Sequence, residues 1–96
     1  MADVNKHLDQ NQARKLAREI LTSGRIGFTR HAREEMEKDD LTEVDVVNVL
    51  RAGQLTEPGE MEKGTWRYRI HTARIWVVVA FRSVAELVVI TAWRKR

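Results

Sequence analysis

The spacing of apolar residues predicts helices in the first half of the chain and strands in the second half. Residues 11–23 repeat apolar positions at helical intervals, and Gly24 follows as a helix terminator. Two shorter helices are predicted next. One covers Arg30–Lys38 behind the N-cap residue Thr29, and the other covers Thr42–Ala52.

After Gly53 the pattern changes from helical to alternating. Gln54–Glu57 is predicted as a short edge strand that ends at a Pro-Gly pair. Trp66–His71 alternates apolar and cationic residues, which predicts a strand with one buried and one exposed face. Arg74–Phe81 and Leu87–Trp93 are almost continuously apolar and are predicted as central strands.

These elements predict the α+β fold class. The short loops between the strands favour antiparallel pairing. The expected architecture is therefore two or three N-terminal helices packed on one face of a three- or four-stranded antiparallel sheet.

A chain of 96 residues is the size of one domain, so residues 1–96 are expected to form a single unit, with residues 1–10 flexible. The start of the chain is polar and lacks the apolar stretch of a signal peptide. The longest apolar run, Ile75–Phe81, is shorter than the roughly 20 residues of a membrane helix. There is no cysteine. We expect a soluble, cytoplasmic protein with no membrane association.

The net charge of +3 hides an uneven distribution of charged residues. Residues 1–64 hold 10 Lys and Arg against 13 Asp and Glu, whereas residues 65–96 hold 7 against 1. A last third this basic indicates a polyanion or an acidic protein as partner.

The strand Trp66–His71 carries the most informative cationic pattern. Arg67, Arg69 and His71 point to one face, and alternate residues of a strand recur every ~7 Å, close to the spacing of phosphates along a single strand. An ordinary solvated face is the alternative, but the other strands add further cations. We therefore favour a nucleic-acid surface. The residues expected to extend it as RNA-binding groups are Arg74, Arg82, Trp93 and Arg94.

The remaining aromatic and histidine residues have simpler interpretations. Trp66 and Trp76 are expected in the core, whereas Trp93 is placed to stack on a base. His31 lies in the first turn of the second helix, where it either orients the helix or acts as a general acid or base. The three histidines lack a metal-binding spacing, and there is no Gly-rich phosphate loop, so no metal and no cofactor are expected.

Several of these residues resemble the pattern of domain-of-unknown-function family 4258. The resemblance covers residues 26–94. The matching positions are Phe28, Thr29, His31, Ala32, Met36, Leu41, Thr42, Asp45, Val46, Gly53 and the final Ile90-Thr91. One position departs from it, because Glu35 stands where the family has an arginine before the methionine.

The family in turn looks related to RelE/MqsR-type ribonuclease toxins of toxin–antitoxin systems, with a RelE/barnase-like fold. This resemblance implies a metal-independent endoribonuclease that cleaves RNA, such as ribosome-associated mRNA, by 2′-OH attack on the basic sheet face. His31 and Thr91 match the family positions, and Arg67 or Arg69 lies on the strand where related folds place a cation. The expected catalytic residues are therefore His31, Arg67, Arg69, His71 and Thr91, with either His31 or His71 transferring the proton. The implied partner is an acidic antitoxin protein. The alternative is a non-catalytic module that binds nucleic acid or an acidic protein with the same face.

Overall fold

The first helix, α1 (Gln10–Ser23), begins at a capping box and ends directly against the sheet. The structure, a computed structural model, describes residues 3–96. Asp9 accepts from the backbone N–H of Gln12, and the Gln12 side chain accepts from the backbone N–H of Asp9. A Cβ at Gly24 would collide with the carbonyl oxygen of Ala85, so only glycine lets the chain leave α1 so close to the sheet.

The two shorter helices have the caps that the sequence predicts. Helix α2 (Arg30–Lys38) starts at Thr29, whose hydroxyl accepts from Ala32 N at 2.9 Å. Helix α3 (Glu43–Ala52) starts at a capping box formed by Thr42 and Asp45. Both predictions are confirmed. No helix within residues 3–96 is long and apolar enough to cross a membrane.

The sheet has five strands in the order β1-β5-β4-β3-β2. They are β1 (Arg25–Phe28), β2 (Glu60–Glu62), β3 (Thr65–His71), β4 (Ile75–Ser83) and β5 (Glu86–Arg94). Strand β1 pairs parallel with β5, while the other pairs are antiparallel. The α+β class is confirmed with three helices. The expected antiparallel sheet of three or four strands is wrong, because the sheet is five-stranded and mixed.

The outer strand beside β3 is not the predicted one. Within Gln54–Glu57 only Gln54 pairs with the sheet through its backbone, in an isolated bridge to His71. The edge is formed instead by β2, which returns into β3 through the two-residue turn Lys63-Gly64, where φ is +51° and +79°. Such a turn with two positive φ values matches the twist of a hairpin.

All three helices contribute to one core against the same face of the sheet. The buried residues of β3, β4 and β5 that join this core are Tyr68, Ile70, Val77, Val79, Phe81, Leu87, Val89 and Ala92. Tyr68 is 1 % exposed, and its hydroxyl accepts from Leu8 N at 3.0 Å. Burial raises the pKa of the Tyr68 hydroxyl above its usual value. Residues 1–10 are expected to be flexible, yet this contact packs Leu8 into the core.

A bulge at Ile90 changes which residues of β5 face the helices. Val79 pairs with Val89, but Val78, which precedes Val79 in β4, pairs with Thr91. Ile90 is therefore the extra residue. Before the bulge Val89 faces the core, and after it Ala92 does. Thr91 therefore lies on the opposite face of the sheet.

A cluster at the end of α2 ties this helix to the end of β5. The Asp39 carboxylate accepts from Arg94 N and from Arg96 Nη2, each at 2.8 Å. The Arg94 guanidinium donates to the backbone carbonyls of Asp39 and Asp40. The hydrogen bond from the Arg94 backbone, with the nearby charge of Arg96, lowers the pKa of Asp39.

We predict that Thr29→Ala destabilises the protein by about 1–2 kcal/mol. The Thr29 hydroxyl caps α2 and also donates to the Ile90 carbonyl at 3.1 Å, so alanine removes two hydrogen bonds. Urea unfolding measures the loss. Thr29→Ser is the matched control and should retain most of the stability, since it keeps the hydroxyl. Equal destabilisation by serine and alanine would show that the hydroxyl is not the cause.

We also predict that Asp39 makes stability depend on pH in the acid range. Its folded-state pKa lies below 3.8, so ionised Asp39 stabilises the fold above that value, and the stabilisation is lost as pH falls through the folded-state pKa. Asp39→Asn should therefore be less stable than wild type at neutral pH, and the difference should shrink on acidification. Glu37→Gln, an exposed change on the same helix, is the control. A difference that stays constant with pH would contradict this account.

Candidate functional site

The face of the sheet opposite the helices carries most of the candidate residues. The alternation of β3 sends Arg67, Arg69 and His71 to this open face, because Tyr68 and Ile70 occupy the core. The predicted orientation of these three side chains is confirmed. The bulge in β5 places Thr91 and Trp93 on the same face.

A cavity of about 260 Å³ lies on the open face, between the start of α2 and the β2–β3 hairpin. It is lined by His31, Pro58, Glu60, Glu62, Arg67, Arg69, Val78, Ile90, Thr91 and Trp93. Small-molecule sites usually measure about 300–1,000 Å³, so this cavity is near the lower limit. Its size and lining fit a charged group presented by a larger ligand.

His31 reaches the cavity from the first turn of α2. Because β1 pairs with β5 and α2 follows immediately, the start of α2 lies beside Ile90. The His31 side chain is exposed and makes no hydrogen bond or ion pair with any other residue in the part of the chain that the structure describes. Both ring nitrogens are therefore available to a ligand.

Each of the two arginines of the cavity has a glutamate near its guanidinium group. Arg67 Nη1 lies 3.7 Å from Glu62 Oε2, and Arg69 Nη1 lies 4.0 Å from Glu57 Oε2. The Arg67 side chain is 23 % exposed, and its Nε is buried without an acceptor among residues 3–96. Only the outer nitrogens of Arg67 can therefore meet a ligand. The longer separations indicate weak ion pairs, which an incoming anion can replace.

The glutamates beside these arginines are the site residues that the sequence reasoning missed. Glu60 pairs directly with Arg67 in the β2–β3 ladder, and Glu62 follows two residues later. The charge distribution gave no reason to connect them with the arginines, because they precede residue 65 and belong to the acidic part of the chain. The tight turn at Lys63-Gly64 is the signal that could have predicted a hairpin, and hence the position of these glutamates beside the arginines. The site therefore contains both cationic and anionic side chains.

His71 does not line the cavity. Its Nε2 lies 3.0 Å from Thr56 Oγ1, and its Nδ1 lies 3.0 Å from Lys95 Nζ. An ammonium group can only donate, so Nδ1 is the acceptor and the ring proton is on Nε2. These two contacts occupy both nitrogens, in contrast to His31.

The outer cations of the predicted surface are scattered. Arg94 holds the Asp39-Asp40 backbone, so its guanidinium is engaged within the protein. Arg74 lies in the β3–β4 turn, and Arg82 lies at the far end of β4, where both are exposed. The cavity therefore joins His31, Arg67, Arg69, Thr91 and Trp93, and leaves the other predicted residues outside.

A second depression lies on the other side of Trp93. It is lined by Glu35, Lys38, Asp39, Thr91, Trp93 and Arg96. Glu35, for which the sequence resemblance leads one to expect an arginine, forms an ion pair with Lys38 at 3.2 Å. It puts a carboxylate close to Thr91.

The fold and site define this chain as a small α+β domain with an open sheet face that presents arginines, a histidine and tryptophan. Residues 28–94 match the family described as a domain of unknown function, DUF4258. The match covers more than half of the chain, and the chain belongs to the DUF4258 family. Comparisons with curated proteins and with solved structures found no match.

We predict that the double change Glu57→Gln and Glu62→Gln strengthens polyanion binding. It frees the guanidinium groups of Arg67 and Arg69 from their weak ion pairs. Affinity for inorganic polyphosphate, measured at low salt, should rise roughly twofold to tenfold. The gain should decrease at high salt.

The matched control removes the same charge elsewhere. Glu19→Gln with Glu37→Gln changes two exposed helical carboxylates and should raise affinity much less. An equal gain in both double variants would mean that net charge, and not the local pairing with the arginines, governs polyanion binding.

Proposed function

We propose that the protein is a small metal-independent endoribonuclease of the toxin class, and that it cleaves RNA at the cavity of the open face. The observation that carries the proposal is the convergence of His31, Arg67, Arg69 and Thr91 on one cavity. They come from α2, β3 and β5, elements separated by up to 60 residues, and together they offer a proton-transfer group, two cations and a hydroxyl.

The proposed reaction needs no group beyond these side chains and the RNA. A base removes the proton of a ribose 2′-OH, and the oxygen attacks the adjacent phosphorus. The bond from phosphorus to the 5′ oxygen then breaks, and an acid protonates that oxygen. The products are a 2′,3′-cyclic phosphate and a 5′-hydroxyl end. DNA is not a substrate, since it lacks the 2′-OH.

The side chains of the cavity divide these tasks. His31 and a β2 carboxylate, Glu60 or Glu62, are the two titratable groups at hand for the acid and base roles. Arg67 and Arg69 stabilise the negative charge that develops on the phosphorus oxygens. Thr91 donates to one of those oxygens. His71 has no part in this scheme, because its nitrogens are engaged outside the cavity.

The toxin assignment rests on the resemblance of the family to RelE/MqsR-type ribonucleases, and it implies a cytoplasmic protein acting on RNA such as ribosome-associated mRNA. Arg74 and Arg82 would contact phosphates farther along the strand. The natural inhibitor would be an acidic antitoxin that covers the open face and competes with RNA for Arg67 and Arg69.

One observation favours a second candidate, a non-catalytic module that binds nucleic acid or an acidic protein. Glu57, Glu62 and Glu35 all place negative charge near the residues that would meet phosphate. Such a module would use the same arginines but cut nothing. Its binding to a polyanion would still weaken steeply with salt.

The test is controlled expression in a bacterial host, with growth and new RNA 5′-hydroxyl ends as readouts. Wild type should arrest growth and generate such ends. Arg67→Ala with Arg69→Ala should lose the activity, and His31→Gln should reduce cleavage by the purified protein roughly 100-fold or more, with thermal unfolding close to wild type.

The control is Arg18→Ala with Arg51→Ala, which removes the same charge from exposed positions of α1 and α3 and should remain active. Retained toxicity in the Arg67/Arg69 variant would refute the assigned site. Normal growth and uncut RNA with wild type would favour the binding module.

A further inference from the structure

Three aromatic rings form a row across the open face beside the cavity. His71, Trp76 and Trp93 are cross-strand partners in β3, β4 and β5, so their side chains stand next to one another. The ring centroids of His71 and Trp76 are 4.3 Å apart, and those of Trp76 and Trp93 are 6.3 Å apart with planes inclined by 26°. We call these three residues the aromatic row.

The aromatic row lies outside the core. Trp76 is only half-buried and is not part of the core cluster, so the expectation that it packs there is wrong. Trp66, on the other face of β3, does pack against the core. Two neighbouring tryptophans left partly exposed on a sheet form a surface suited to a flat apolar ligand.

Cations accompany the aromatic row. Lys95 Nζ lies 4.5 Å from the centre of the Trp76 ring and 3.0 Å from His71 Nδ1. Arg74 is adjacent, since its carbonyl accepts from Lys95 N at 2.7 Å. Neither Lys95 nor Arg74 makes an ion pair within the part of the chain that the structure describes. Aromatic faces next to unneutralised cations are the combination that binds single-stranded nucleic acid.

We infer that the aromatic row is a base-stacking subsite, which makes single-stranded RNA the substrate class. The inference rests on the proposed function, in that it takes RNA as the ligand of the cavity. Trp93 lines the cavity itself, so a nucleotide whose phosphate meets Arg67 and Arg69 has its neighbour's base on Trp93. The next base lies on Trp76 once the flexible Lys95 side chain turns from the ring to a phosphate.

Base pairing would prevent this mode of binding. In a duplex the faces of the bases are stacked on one another, and single strands alone can offer them to aromatic side chains. Stacking on tryptophan is also tolerant of sequence, since every base has a flat face. The subsite therefore selects unpaired RNA without selecting a particular base.

The experiment measures binding of a fluorescent 2′-O-methyl RNA strand, which cannot be cleaved by 2′-OH attack, by fluorescence anisotropy. Wild type should bind the strand at least tenfold more tightly than the same strand in a duplex. Trp93→Leu and Trp76→Leu should each weaken single-strand binding roughly tenfold, while Trp93→Tyr should keep most of the affinity because the aromatic face remains. Trp66→Phe, on the core side of β3, is the control and should bind like wild type.

The result that overturns the inference is single-strand binding by Trp93→Leu and Trp76→Leu equal to that of wild type, or equal affinity for strand and duplex. The Trp93→Tyr variant separates stacking from a folding defect, since rescue requires the ring. Cleavage of ordinary RNA is measured in parallel. Tryptophan-dependent binding without cleavage supports the subsite and refutes the ribonuclease, whereas cleavage with tryptophan-independent binding does the reverse.

Discussion

The parallel pairing of β1 with β5 is the contact on which the rest of the arrangement depends. It is only four residues long, yet it fixes where α1 ends and where α2 begins. Thr29 then continues the ladder to Val89, caps α2 and bonds Ile90, so α2 runs alongside the second half of β5. The start of this helix brings His31 to the open face, and its end brings Asp39 to Arg94. The β1–β5 pairing therefore positions the start of α2, and the Asp39–Arg94 contacts hold its end.

The helices cover one face of the sheet, and this leaves a mixed surface on the other. Small buried residues such as Val78 and Ala80 lie among long cationic and aromatic side chains. Glu62 and Glu57 moderate the positive charge of Arg67 and Arg69, so a single small anion gains little there. A polymeric anion can displace the glutamates because several contacts act together. The same surface thus favours ligands with both repeated phosphates and flat apolar groups.

Local patterns predicted the helices and the central strands, while the elements that depend on distant partners were missed. Thr29, Thr42 and Gly24 carry their signals within a few residues, and β3 alternates plainly. Strand β1 is short, contains Gly27 and pairs with residues about 60 positions away, so its sequence has no strand pattern of its own. Strand β2 has only three residues, two of them glutamates, and only becomes recognisable through its hairpin with β3. The arginines of the site were predicted because β3 alternates, and the glutamates were missed because β2 has no strand pattern of its own. Trp76 was assigned to the core because β4 is a central strand, but such a strand can still have one open face.

The bulge at Ile90 decides which residues of β5 face the cavity. Thr91 and Trp93 face the cavity only because one extra residue precedes them. A regular strand of the same sequence would instead turn both side chains toward the helices and the small Ala92 outward. Loss of the Ile90 codon would have the opposite effect, because it would join Val89 directly to Thr91, and their partners Val79 and Val78 are already adjacent in β4. In the divergence of this domain, the bulge can therefore disappear together with its extra residue while the inside and the outside of the site are preserved.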